Sequence, residues 1–240
     1  MKIFIKNRSF FINILICILL IFTTNCEYYS ISKKKHLNYS FKHEYINAIK
    51  ILNEKKYNKA LIKFSNLYVN YPYNIYTEKI LVYLMFLNYL HKDFLNVLEL
   101  SEEFIQSYNF SAFMSYVIYI RILSEISLDT NTKIQNFFRI NRYFCNPFYT
   151  QLAIHDIKIF MKNYPNSIYI NFLKKKLFNM EKRVKFFDLN IIKFLFKKKN
   201  YIATINRCLI FLKEYPSSIK EINLVKKILK ISCNEIHLKI

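Results

Sequence analysis

Apolar side chains recur at helical spacing along nearly the whole chain. Phe41, Tyr45, Ala48, Ile49 and Leu52 mark one face of a first helix, and no stretch sustains the alternation that a half-buried strand requires. Three amphipathic segments close on the same pair of residues, Tyr71-Pro72, Tyr164-Pro165 and Tyr215-Pro216. Proline lacks the amide hydrogen that a continuing helix would use and disfavours helical geometry in the residue before it, so each pair is read as a helix stop. Ser167 and Ser218 then stand as N-caps of the helices that follow, Ser218 with Glu221 in a capping box.

Counted back from the stops, the faces align without a gap: Tyr57, Ala60, Phe64, Leu67; Thr150, Ala153, Ile157, Phe160; and Tyr201, Thr204, Cys208, Phe211. A degenerate copy reads Phe94, Val97, Ser101, Phe104, with Asn109 in place of the proline. An aromatic, a small residue and two bulky residues before a proline form the second-helix half of a tetratricopeptide pattern, in which the small residue lets two helices approach closely. The copies start 37, 56 and 51 residues apart, against a unit of about 34. The excess implies a polar insertion at about 129–147 and an overlong first helix from Ser167 to about Lys199. The expected fold is therefore all-α, a tetratricopeptide-like helical-repeat solenoid of about four to five helix pairs over residues 40–240.

Residues 1–25 read as an export signal: Lys2, Lys6 and Arg8 precede a 13-residue apolar run, Phe10 to Phe22. A helix spanning a bilayer needs about 20 such residues, so a permanent span is the weaker reading. Cys26 then stands where bacterial lipoproteins carry the acylated cysteine. Thr23 and Asn25 depart from the usual flank, and the competing reading is an ordinary cysteine at the end of a signal. Residues 26–39, with Lys33-Lys34-Lys35 and little apolar period, read as a tether.

Composition adds bounds. At 240 residues, 53% hydrophobic and 18% aromatic, the chain can bury a core. The absence of glycine and tryptophan beside abundant Lys, Asn, Ile and Phe fits drift toward AT-rich codons, which also accounts for much of the formal charge of +21. Residues 158–240 nonetheless hold 19 Lys and Arg against five Asp and Glu, a net +14, which favours an acidic partner; the export signal argues against nucleic acid.

No catalytic constellation emerges, and neither a cofactor nor a metal is expected. Without glycine, the usual dinucleotide and phosphate loops cannot form. His155 and Asp156 are adjacent and point to different sides of a helix. Glu99, Glu102 and Glu103 read as a solvated helix face, as do the lysine runs 174–176 and 197–199. The mature chain has Cys145, Cys208 and Cys233 beyond Cys26, which is no disulfide framework; Cys208 falls on a buried face.

With the repeats in place, several stretches resemble the BamD family of lipoproteins that serve the outer-membrane β-barrel assembly machinery. They are Tyr71-Pro72 with Tyr76; Tyr116-Val117, Tyr119 and Arg121 leading to Asp129; and the run Tyr164-Pro165-Asn166-Ser167, Tyr169, Leu177, Arg183, Phe194, Ala203, Asn206-Arg207 and Tyr215-Pro216. The resemblance covers roughly residues 40–225. The family's glycines that open second helices are replaced by residues such as Lys56 and Lys199, its usual tryptophan by Tyr201, and the C-terminus has room for one helix after Pro216, Ile219 to about Leu238.

The resemblance implies a non-enzymatic scaffold, anchored by lipid on Cys26 at the periplasmic face of the outer membrane, that assists folding and insertion of outer-membrane proteins. Its implied partners are a BamA-like β-barrel protein met through a POTRA domain, unfolded outer-membrane protein substrates and other accessory lipoproteins. Arg207 matches the family arginine of that docking surface, and Asn206 and Arg183 are the neighbouring partner-binding candidates. Another periplasmic helical-repeat scaffold is the alternative; it would lack the Tyr116 to Arg121 and Asn206-Arg207 stretches.

Overall fold

The computed structural model describes residues 40–237, apart from positions 132 and 218. The signal, Cys26, the tether and the expected Ser218 cap lie outside the described residues. The helices are α1 (40–53), α2 (Tyr57–Asn70), α3 (Thr77–Leu90), α4 (Phe94–Ser107), α5 (Met114–Leu128), α6 (Lys133–Phe137), α7 (Phe148–Asn163), α8 (Ile170–Lys197), α9 (Tyr201–Glu214) and α10 (Ile219–His237), with a 3₁₀ turn at Arg142–Phe144. No strand occurs among the described residues. The architecture is all-α and tetratricopeptide-like. The described residues divide into two compact units, one up to Leu87 and one from Asn88 on.

In the first unit the pattern residues Ala60, Phe64 and Leu67 of α2 are fully buried, beside Phe41 and Ala48 of α1 and Ile80, Leu81 and Met85 of α3. Phe41 sits edge-on to Tyr71 at 5.1 Å, and Phe64 stacks on Tyr83 at 4.9 Å. In the second unit α4 packs on α5, α5 on α7, α7 on α8, α8 on α9 and α9 on α10. Ala153, Ile157 and Phe160 of α7 meet Ile122 of α5 and Leu173 of α8 in one core; Cys208 and Phe211 of α9 meet Leu189, Ile192, Val225 and Ile228 in the next.

The corner from first to second helix repeats atom for atom. The amides of Lys55 and Lys56 bond the carbonyls of Leu52 and Ile51 at 2.9 and 3.2 Å; Lys92 and Asp93 reach Tyr89 and Asn88; Lys199 and Asn200 reach Phe196 and Leu195. Each is a Schellman ending, which requires a left-handed residue, usually glycine, just past the helix. Here Lys55, Lys92 and Lys199 hold φ of 58°, 63° and 58°. The first corner thus corrects the sequence reading: the left-handed residue is Lys55, while Lys56, at φ −83°, is the cap residue just before α2. Asp93 and Asn200 also cap the next helix, accepting from the amides of Asn96 and Ala203 at 3.3 Å.

The stops repeat as well. Tyr71, Tyr164 and Tyr215 leave the helix at φ −135°, −129° and −122°, and each amide donates to a carbonyl four residues back. Tyr108, followed by Asn109 in place of proline, does the same at φ −133°, so the aromatic residue sets the stop as much as the proline. Ser167 differs from its expected role. Its hydroxyl accepts from the Tyr169 amide at 3.4 Å inside the turn, and α8 begins at Ile170 with Tyr169 at the cap position.

Candidate docking site

The buried face of α9 fixes where Arg207 points. Thr204, Cys208 and Phe211 are in the core, so Asn206 falls on the opposite side of the helix and Arg207 at the margin of the buried face, and both are exposed. Arg207 takes part in none of the ion pairs among the described residues. Its charge acts on Asp188 of α8, whose carboxylate accepts a 2.7 Å hydrogen bond from the Tyr215 hydroxyl. Burial raises the Asp188 pKa, against the lowering influence of that bond and of Arg207. The stop tyrosine of the last repeat thereby ties the end of α9 to α8 beside the exposed guanidinium.

A cleft of about 680 Å³ lies nearby, among α7, α8 and the turn into α10. Its apolar lining includes Ile154, Phe178, Val184 and Phe186. Lys158 with Glu181 at 2.9 Å and Lys185 with Glu221 at 3.2 Å place ion pairs on its wall.

Arg183 sits inward of this surface, its side chain 13% exposed. It bonds the Asp129 carboxylate, the Thr150 hydroxyl at 2.8 Å and the carbonyls of Arg142 and Cys145 at 3.1 and 3.5 Å. Asp129 also receives Arg142 at 2.7 Å and the Thr150 hydroxyl. Burial lowers the Arg183 pKa. The guanidinium clamps both ends of the insertion 129–147 to α7 and α8, so the side chain matched on family order is committed within its own chain.

A second cluster joins α4, α5 and α7. Arg121 donates to Glu102 at 2.7 Å and to Asp156 at 2.9 Å. Glu102 is therefore tied across helices, unlike Glu99 of the same run, and the bond from Arg121 lowers its pKa. Glu125 lies beneath, 1% exposed, with its Oε1 3.6 Å from Arg121 Nε and neither oxygen hydrogen-bonded. Burial, and then the neighbouring Asp156 charge, raise its pKa to about 8. Sequence reading passed over Glu125, Asp156 as a bridge, and Asp188. Arg121 and Glu125 stand four apart on one helix, a spacing that could have marked Glu125, whereas Asp156 and Asp188 have partners 35 and 27 residues away.

Among the described residues no group of three or more His, Cys, Asp or Glu side chains could hold a metal ion. No helix among them is long and apolar enough to cross a membrane. Cys145, Cys208 and Cys233 are free thiols, and burial pushes Cys208 up to about 11. Stacked helix pairs with exposed cations and structural ion clusters define a helical-repeat binding scaffold. The chain belongs to the YfiO family, outer membrane lipoproteins, whose pattern matches residues 38–234. It is 34% identical over 78% of its length to the outer membrane protein assembly factor BamD of Buchnera aphidicola, covering 72% of that protein. It is 28% identical to the BamD proteins of Pasteurella multocida and Vibrio cholerae, over 70% and 66% of this chain and 64% and 66% of theirs.

Proposed function

We propose that this chain is a non-enzymatic scaffold lipoprotein of the outer-membrane β-barrel assembly complex, acylated on Cys26 and facing the periplasm. The family match over residues 38–234 carries the reading, and the repeat architecture supports it, since stacked helix pairs offer long surfaces to protein partners. Arg207 and Asn206 contact an acidic spot on a POTRA domain of a BamA-like protein. The Tyr215–Asp188 bond and the Arg183 clamp hold the helices that present them, and unfolded outer-membrane proteins and other accessory lipoproteins complete the set of partners. A guanidinium exposed beside a packed aromatic latch can pack its stem and bond a carboxylate in two places, which lysine cannot match.

Affinity purification of the acylated protein from its own cells is expected to recover a large β-barrel protein bearing POTRA domains; its absence would refute the assembly role. For the contact itself, Arg207→Glu is expected to keep its helicity and melting temperature while losing capture of the POTRA region. A buried, hydrogen-bonded charge pair costs roughly 2–5 kcal/mol when one member is removed, far more than an exposed rim charge. Equal capture by both proteins would leave Arg207 as surface only.

A further inference from the structure

The insertion between α5 and α7 is tightly framed, yet it turns bulky apolar side chains outward. Ile134, Phe137, Phe138 and Phe144 are 71%, 81%, 69% and 68% exposed, and the rings of Phe137 and Phe138 meet edge to face at 5.3 Å. The frame beneath them does not depend on these rings. Asn131 donates to the Ile140 carbonyl at 2.8 Å, Arg183 holds the carbonyls of Arg142 and Cys145, and Tyr143 packs on Phe186 at 5.6 Å. A Schellman ending after α6, with Arg139 at φ 50°, turns the chain back. Bulky apolar groups displayed on a fixed frame mark a contact surface.

The charges around the patch select the partner. From Thr130 to His155 the sequence contains Lys133, Arg139 and Arg142 and no Asp or Glu. The flanking carboxylates are already engaged, Asp129 with Arg142 and Arg183, and Asp156 with Arg121. An acidic protein would be recognised through one-to-one pairs, but Arg142 is committed inward to Asp129. A lipid surface carries diffuse negative charge and needs no such pairing, and phenylalanine and isoleucine beside basic residues suit the boundary between headgroups and acyl chains. We propose that residues 133–144 form a membrane-contacting element that seats Phe137, Phe138 and Phe144 at the surface of an anionic phospholipid layer. The proposal rests on the membrane-anchored reading above. It adds a second attachment, which restricts how the repeats are oriented at the bilayer.

The chain contains no tryptophan, so one introduced indole reports its own surroundings. The acylated full-length protein carrying Phe138→Trp is mixed with phosphatidylethanolamine vesicles containing phosphatidylglycerol. Phe110→Trp, 97% exposed in the turn before α5, serves as the control position. A shift of the Phe138→Trp emission to shorter wavelength, with quenching by lipids brominated on their acyl chains and neither effect at Phe110→Trp, is the expected result. Water-like emission from Phe138→Trp on vesicles with which the protein co-floats would overturn the proposal. So would a shift seen only on adding a POTRA-bearing partner, which would assign the patch to a protein contact. In a Cys26→Ser background, Phe137→Ser with Phe138→Ser is expected to lower vesicle binding roughly tenfold, since two rings no longer leave water. Equal binding would overturn the proposal. Failure of the lipid anchor is read separately, as loss of flotation by the unaltered protein.

Discussion

Replacing Glu125 by glutamine isolates the cost of a buried carboxyl group. Glu125 is 1% exposed and lies against Arg121 of its own helix, which also pairs with Glu102 of α4 and Asp156 of α7, so three carboxyl groups share one guanidinium. Its pKa rises from 4.5 to about 8 on folding, through burial first and Asp156 second. A carboxyl with a raised native pKa binds more protons folded than unfolded, so the native state loses stability as pH rises through the window from 4.5 to about 8. Every tenfold change in acid strength is worth about 1.4 kcal/mol, so the loss is of order 3 kcal/mol by neutral pH. Glutamine has nearly the shape of the protonated acid and cannot ionise. Denaturant unfolding followed by circular dichroism, repeated between about pH 5 and pH 9, gives both stability curves. Their difference cancels the other titrating groups, Asp188 included. Glu125→Gln is expected to match the unaltered protein at the acid end and to exceed it increasingly toward the alkaline end. Parallel curves, or a Glu125→Gln protein weaker throughout, would show that the carboxylate is ionised and stabilised by Arg121, and would refute the reasoning.

Lys55→Gly, Lys92→Gly and Lys199→Gly each relieve a left-handed lysine and are expected to stabilise by about 0.5–1 kcal/mol, the steric relief being partly offset by glycine's greater freedom when unfolded; melting temperatures check this. Phe64→Ala and Phe211→Ala empty fully buried ring sites and are expected to cost about 3–5 kcal/mol in chemical denaturation. Arg183→Met leaves Asp129 with Arg142 as its remaining ion-pair partner among the described residues, and is expected to cost roughly 2–3 kcal/mol and to open 129–147 to limited proteolysis first.

The repeat was legible because proline, aromatic and small residues mark it at fixed offsets: Ala60, Ala153, Phe64 and Phe160 lie where the alignment put them, in the core. The corners were half legible. A chain without glycine hides its left-handed positions, and only their place two residues before each second helix separates Lys55 from Lys56. The ion clusters were illegible for a different reason. Arg121 and Asp156 stand 35 residues apart and Arg183 and Asp129 stand 54 apart, so their pairing depends on helix stacking, which no local period encodes. The insertion read as polar because its asparagines and arginines dominate the count; in the structure Asn136, Arg139, Asn141 and Asn146 are exposed, and Phe137, Phe138 and Phe144 are exposed beside them.

Three of the first-to-second helix corners span three residues, 54–56, 91–93 and 198–200, and one residue serves as both the end of one helix and the start of the next. Such a corner tolerates no added length without losing its bonds. The corner between α5 and α7 spans 19 residues, 129–147. By chain statistics that lengthening costs only about 1–2 kcal/mol of closure entropy, and the Asp129–Arg183–Thr150 latch replaces the lost turn by pinning the loop at its two feet. The latch makes this corner a growth point. Residues between the feet can be exchanged, inserted or deleted while α5 and α7 keep their register, so new surface chemistry can be tried there without disturbing the stack of helices on either side.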